Sequence, residues 1–343
     1  MSLKRTFFMI VCLVLALGLA GSAAAADKVF KWRAQTYASQ GTPGFESQKI
    51  ALDHLKKATN GRLDIRLHGG GTLVGYRDML EALGKGNFEV GHNVDAFFAG
   101  QDPGFAPIFS AIALWSDPRE VRVWIESFGG KEIMAKAYAK YGVHYAGSTL
   151  IGAEPIMSKK ALKSLADFKG LKIRTPGGLT TMLFQKLGAS PMALRGGQIY
   201  SALDTKVIDA AEFVTMGENV GMGLHEVTKY VLYPSFHGPI AVVNYGVNQK
   251  AWDSLPDDLK AAFEMMVKEA DYYYDILSAA SDYKALETVK AKGLEITTLS
   301  PAEMEQARQM SMEVALEYKE KSPLADEVLT SILDFLKTTG KIE

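Results

Sequence analysis

Arg174 stands at the end of a short apolar strand, Leu171-Lys172-Ile173, immediately before the turn Thr175-Pro176-Gly177-Gly178. A guanidinium is a rigid fork of N–H donors that keeps its charge at any physiological pH, which suits it to grip a carboxylate at two points. The two glycines let the backbone approach a ligand, and the helix they open presents an N-terminus that favours an anion. Further along, Glu212-Phe213 closes another strand, while Glu154, Asn93, Phe97 and His237 stand in other loops and strand ends. That is a chemistry of binding. The parts for bond breaking are missing. The one cysteine is Cys12, no Gly-x-Ser-x-Gly elbow accompanies His68-Gly69-Gly70-Gly71, and His225-Glu226 lacks the second histidine of a zinc helix. A secreted hydrolase is therefore the distant alternative, the chain is not read as an enzyme, and no catalytic cofactor is expected. A structural or adhesion protein would not need a convergent arginine and carboxylate.

The elements around these residues explain how they could meet. From Ser164 to Met216 the chain reads as a capped turn ending in Asp167, the strand to Ile173, a helix over 179–187 and a strand over 190–194. A second helix begins at Gln198 and Tyr200, and a last short strand ends in Asp209-Ala210-Ala211-Glu212-Phe213. This β-α-β-α-β spacing puts Arg174 and Glu212-Phe213 at the C-terminal ends of strands, where open α/β sheets bind ligands.

The rest of the chain alternates in the same way. Strands are predicted over 28–37, 63–67, 89–93, 143–147, 240–247 and 294–298, with helices over 45–59, 118–141 (interrupted at Gly129-Gly130) and 329–337. Ser300-Pro301-Ala302-Glu303 is a capping box that opens another helix. Ser254-Leu255-Pro256-Asp257-Asp258 is a strong helix start, and no glycine or proline follows until Gly293, so a helix of about 55 Å should span more than one lobe. Phe97-Phe98 could wall a cleft or pack in a core. His92 reads as a buried strand residue bonded to backbone, and Tyr272-Tyr273-Tyr274 as packing against both lobes. Glu154 reads first as a solvated loop carboxylate and second as a ligand or metal contact, and His237 sits in an exposed-looking turn.

Composition bounds the answer further. Residues 1–26 carry Lys4 and Arg5, an apolar stretch from Phe7 to Leu19, short for a membrane span of about 20 residues, and small residues up to Ala26. They read as a signal peptide, cleaved near Ala26 on export. Without them, 36 basic residues face 39 acidic ones, no cysteine remains, and nothing suggests a nucleic-acid surface. About 317 residues exceed one comfortable core, so two lobes are expected.

Several motifs occur in a fixed order: Asp167-Phe-Lys-Gly-Leu-Lys-Ile-Arg-Thr-Pro-Gly177, Leu187-Gly-Ala-Ser-Pro191, then Tyr200-Ser-Ala-Leu203 with Val207-Ile-Asp-Ala-Ala-Glu212. Together they resemble the DctP-type solute-binding proteins of tripartite ATP-independent periplasmic (TRAP) transporters. The likeness extends over most of the chain, including the Phe97-Phe98 pair before Asp102-Pro103 and the Lys292-Gly-Leu-Glu-Ile296 strand. It implies an α/β periplasmic binding protein fold of two lobes with interwoven crossings and a long lobe-spanning helix. The lobes would be 27–150 with 240–270, and 151–239 with 271–343. It implies a periplasmic receptor that closes on a small organic acid and hands it to membrane permease subunits. Arg174 would pair with the ligand carboxylate, Phe97 and Asn93 would border the cleft, and the Phe236-His237 turn would face it. In a subset similar to 2-oxo-acid binders, Glu-Trp stands at the position of Glu212-Phe213. There the glutamate and the next backbone carbonyl hold a sodium or calcium ion that bridges to the ligand, with loop contacts at the place of Glu154. Phe213 departs from that pattern; a backbone carbonyl would survive the change, but ring stacking would not. A 2-oxo or 2-hydroxy monocarboxylate is the favoured ligand, a C4-dicarboxylate or sugar acid the alternative. The long helix is a candidate face for a homodimer.

Overall fold

The computed structural model describes residues 28–342, so the signal-peptide expectation lies outside the described residues. Two sheets organise the chain. The first contains β1 (Phe30–Thr36), β2 (Leu63–His68), β3 (Val90–Asn93), β4 (Val143–Ile151) and β10 (Ala241–Asn248) in the order β2-β1-β3-β10-β4. The second contains β5 (Ile156–Ser158), β6 (Lys172–Thr175), β7 (Ser190–Ala193), β8 (Ala210–Glu212), β9 (Tyr230–Leu232) and β11 (Glu295–Thr297) in the order β11-β9-β5-β8-β6-β7. The chain leaves the first sheet between β4 and β5 and returns between β9 and β10, which makes the crossings interwoven. β10 enters antiparallel between β3 and β4. All of its residues are buried, as a strand covered on both faces must be. Pairing with β10 also carries β4 to Ile151, four residues beyond the predicted strand end.

Most predicted elements form close to their expected limits, and the departures have visible causes. The helical stretch after Pro118 splits into Pro118–Ser127 and Gly130–Ala139, because Gly129 adopts a left-handed conformation (φ +88°) that few other residues tolerate. The last helix starts at Pro323, six residues before the predicted start. Ser322 caps it by accepting from the Ala325 amide, and proline occupies the first helical position.

The long helix runs from Asp257 to Ala291, 35 residues or about 52 Å. Leu259, Phe263, Met266, Val267, Ala270, Tyr274, Ser278, Ala285 and Val289 form its buried face at helical spacing. It packs on the helix Pro43–Ala58 and on β4 at one end, and on the helix Met216–Gly221 beside the second sheet at the other. Of the tyrosine triplet only Tyr274 is buried; Tyr272 points outward and Tyr273 edges against His54. Three consecutive helical residues point 100° apart, so no single surface could take all of them.

Candidate functional site

β6 is flanked in parallel by β7 and β8, so the C-terminal ends of three strands lie side by side. Arg174 sits at that edge, 4% exposed. Its Nε donates to the Leu194 carbonyl just past β7 at 3.0 Å. On the other flank its Nη1 donates to the Glu212 carbonyl at 2.8 Å and to Glu212 Oε1 at 3.2 Å. The Phe213 ring covers the guanidinium, 5.3 Å from ring centre to Cζ. Phenylalanine thus still places an aromatic face over the arginine. The arginine is clamped by backbone from two neighbouring strands, and among the described residues Nη2 has no hydrogen-bond partner. Nε and Nη1 are thus held by the protein itself.

Glu154 and His237 come from the two crossings, which are tied together by the Glu154 amide donating to the Gly238 carbonyl at 3.0 Å. Neither residue is solvated: Glu154 is 7% and His237 1% exposed. His237 Nε2 lies 3.5 Å from Glu154 Oε2 and 3.9 Å from Glu212 Oε2, while Nδ1 is bonded to the Ser235 hydroxyl. One ligating atom each from Glu154, Glu212 and His237 falls within a mutual distance of 4.8 Å. The expectation of an exposed turn at His237 fails because the Tyr233–His237 turn folds inward onto Phe168 and Phe184 through Phe236.

The electrostatics follow from crowding charges in a dry place. Burial, and then the neighbouring Glu212 charge, push the Glu154 carboxyl up to about 8. Burial also works against Glu212, but the Arg174 guanidinium and then His237 hold its carboxyl below the ordinary glutamate range. Burial opposes charging of His237 as well, yet the two carboxyls facing it carry the imidazole to about 9. The site therefore holds one permanent cation, Arg174, one firm anion, Glu212, and two groups, Glu154 and His237, that both favour their protonated forms.

The other predicted residues fall elsewhere. Phe97 is half-buried and joins an apolar cluster with Phe213, Tyr37, Val94, Val214 and Tyr274, so it reaches the neighbourhood of the site. Phe98 is fully buried core. Asn93 ends β3 in the first sheet, fully buried, with its Oδ1 lacking a partner and no contact to the Arg174 group. His92 is buried, but its partners are the hydroxyls of Thr36 (3.2 Å) and Thr149 (2.8 Å), not backbone, and it stacks on Tyr245. The Phe213 carbonyl, expected as a cation ligand, already accepts from Asn219 Nδ2, which leaves it one lone pair. Neither Tyr37 nor Tyr274 stands among the expected site residues, Tyr274 being read only as packing. Burial first, then Tyr274 and the charges of Glu218 and Glu154, raise the Tyr37 phenol. Only the place of Tyr37 just past a parallel strand hinted at this.

Comparison with known proteins places this geometry. A monocarboxylate 2-oxoacid-binding periplasmic protein of Nostoc is 30% identical over 305 residues, 87% of this chain and 82% of the relative. Among solved structures, a TRAP periplasmic solute-binding protein from Rhodobacter sphaeroides, apo and open, is 31% identical with a TM-score of 0.75, covering 91% of this chain and 99% of that one. A TRAP solute-binding protein from Colwellia psychrerythraea with bound calcium and pyruvate is 26% identical with a TM-score of 0.82, covering 92% and 96%. The DctP family, described as bacterial extracellular solute-binding protein family 7, matches residues 34–321, and this chain belongs to that family.

Proposed function

We propose that this receptor closes on a 2-oxo or 2-hydroxy monocarboxylate, whose carboxylate takes the free arm of Arg174. The observation that carries the reading is a buried arginine, fixed by backbone on one arm, beside two carboxyls within metal-ligand distance of each other. Glu154 and Glu212 suit a hard cation such as calcium or sodium, and the remaining lone pair of Phe213 O is a third oxygen. Such an ion lets acidic side chains face an anionic ligand by bridging the two. His237 serves as the protonated counter-charge when no ion is bound. The presence of calcium with pyruvate in the Colwellia relative, and the 2-oxoacid ligand of the Nostoc relative, support this choice. The chain also overlays better on the liganded relative than on the open one despite lower identity, which supports a closed arrangement of the lobes. Phe97 and Asn93 then border the cleft from the first lobe. The lobe limits proposed are 27–150 with 240–270 and 151–239 with 271–343, except that the helix Pro323–Thr338 packs on Phe105–Phe109 and Gly130–Ala139 of the first group and goes with it.

In this reading the protein is exported, loses residues 1–26 near Ala26, performs no chemistry and delivers its ligand to TRAP permease subunits. Binding energy is spent on stabilising the closed state. The test is a thermal-shift screen of the chain from Asp27 onward against pyruvate, lactate, longer 2-oxo acids, succinate, malate and uronic acids, with and without calcium or sodium. A ligand at a hundredfold excess over its dissociation constant adds about 2.7 kcal/mol, readily seen as a melting shift. A cation-dependent shift with 2-oxo or 2-hydroxy acids is expected. A cation-independent shift with dicarboxylates or sugar acids alone would keep the receptor and discard both the ion and this ligand class.

A further inference from the structure

The second sheet has an edge that the ligand site does not use. β11, β9, β8, β6 and β7 run one way and β5 runs the other, so the starts of five strands and the end of β5 lie in one row. Register fixes the row: Glu295 pairs with Tyr230, Tyr230 with Ser158, Ser158 with Ala210, and Lys172 with Ser190. Six strands about 4.8 Å apart make it about 24 Å long. Arg174 and Glu212 sit towards the other ends of their strands.

This row is basic. The segments that enter it, 159–172, 205–209, 228–229 and 292–295, carry eight lysines against three acids. All three acids are engaged. Asp209 Oδ2 takes Lys160 at 2.9 Å and Glu295 Oε1 takes Lys163 at 2.7 Å. Asp167 accepts the Lys163 and Ser164 amides of its own turn at 2.8 Å. Lys159, Lys169, Lys172, Lys206, Lys229 and Lys292 form no ion pair among the described residues, and all but Lys159 are exposed. Asp204 and Glu226, on the adjoining helices, still leave eight lysines to five acids. The exported chain as a whole is acidic, with 36 basic residues to 39 acidic ones, so composition alone does not produce such an edge.

Between Lys229 and Lys292 the edge is hollowed into a groove of about 630 Å³, lined also by His225, whose buried Nδ1 has no hydrogen-bond partner. Val207 stands in the row beside Lys206, 47% exposed. A straight row of amines on flexible stems matches a plane of negative charge whose phosphates can move to meet each one. An exposed apolar side chain among them can enter a headgroup layer.

We propose that this edge rests on an anionic phospholipid surface, with the Lys229–Lys292 groove receiving a phosphodiester headgroup. The contact leaves the Arg174 site and both crossings uncovered, and it keeps the receptor at a membrane. It follows from the topology and charge of the sheet and does not depend on the ligand.

Sedimentation with vesicles tests it, using the chain from Asp27 onward. Vesicles of phosphatidylglycerol mixed into phosphatidylcholine should carry the protein down at low salt and release it at about 0.5 M, where screening is nearly complete. Pure phosphatidylcholine should not carry it. Each lysine removed should weaken binding about fivefold, so Lys169→Gln, Lys206→Gln, Lys229→Gln and Lys292→Gln together should abolish sedimentation. Lys31→Gln, Lys57→Gln, Lys131→Gln and Lys140→Gln change the net charge equally on the first lobe and should leave it in place. An unchanged melting temperature shows that both variants fold, and an unchanged ligand-induced shift keeps the result apart from the receptor reading. No sedimentation with the anionic vesicles overturns the proposal, as does equal sedimentation with neutral ones; both use the unaltered chain. Equal loss in the two variants overturns it as well, because net charge and not this edge would then govern binding.

Discussion

His237 Nε2 stands 3.5 Å from Glu154 Oε2 and 3.9 Å from Glu212 Oε2, so one imidazole serves two buried carboxyls delivered by different parts of the chain. Two carboxyls this close cannot both stay ionised in a dry site without a positive partner. A proton on His237 is one solution and a hard cation is the other. Under the proposed function, the ion takes the place of that proton when the anionic ligand binds.

Glu154→Gln separates the two. The amide keeps the shape and one oxygen of the glutamate but removes its charge. Scanning fluorimetry should show the calcium-dependent part of the pyruvate-induced shift disappear. Without calcium the melting temperature should hold, because a carboxyl pushed up to about 8 is already neutral at neutral pH. A calcium dependence that survives the substitution would remove Glu154 from the cation site.

Arg174 gives a second prediction, best made with two variants. Arg174→Ala strips a buried charge from Glu212 and should cost about 3–5 kcal/mol of stability, read from the urea midpoint. Arg174→Lys keeps a charge but loses the fork. It should still weaken ligand binding by about 2 kcal/mol or more, roughly thirtyfold by calorimetry. Full affinity in the lysine variant would rule out two-point recognition of the carboxylate.

Half of this site was legible in the residues alone, and the reason is geometric. Arg174 and Glu212 occupy strand ends within one β-α-β-α-β run, and neighbouring parallel strands must place such ends together. Glu154 and His237 lie in the crossings, whose path is set by the packing of two separate sheets. No local pattern shows that a histidine in a Pro-Ser-Phe-His-Gly turn will be buried beside a loop glutamate. The same limit explains the tyrosines. The length of the long helix follows from an uninterrupted run and a capped start, but which of Tyr272, Tyr273 and Tyr274 faces inward depends on rotation about its axis. Tertiary contacts with the helix Pro43–Ala58 and the helix Met216–Gly221 decide that rotation.

The turn after Arg174 can be tested through stability alone. Gly178 opens the helix Gly178–Lys186 at φ +61°, and a Cβ there would meet the Ala106 Cβ at 2.8 Å. Gly178→Ala combines a left-handed backbone with a steric conflict and should cost about 1–3 kcal/mol. The urea midpoint should fall with an unchanged slope. An unaltered midpoint would show that the turn relaxes and does not hold the helix start in place.

Acid stability probes the other lobe. His92 is buried between the Thr36 and Thr149 hydroxyls and stacked on Tyr245, and burial drives its pKa down to about 3. The fold needs the neutral ring, whereas the unfolded chain takes up a proton near the ordinary histidine value of about 6.5. Its contribution is therefore complete above that value and is lost as pH falls from there towards 3. At about pH 4.5 the loss should reach roughly 2–3 kcal/mol. Asp95 slopes the opposite way: burial raises it to about 7, so its ionisation erodes stability as pH rises from the ordinary aspartate range to that value. His92→Gln isolates the first effect, since the amide can still bond a hydroxyl but cannot titrate. Urea midpoints of both proteins, compared at neutral pH and about 4.5, should show the wild type losing more than the variant. Parallel losses would mean that His92 gains its proton within the folded lobe, and that the pocket around it opens before the chain unfolds.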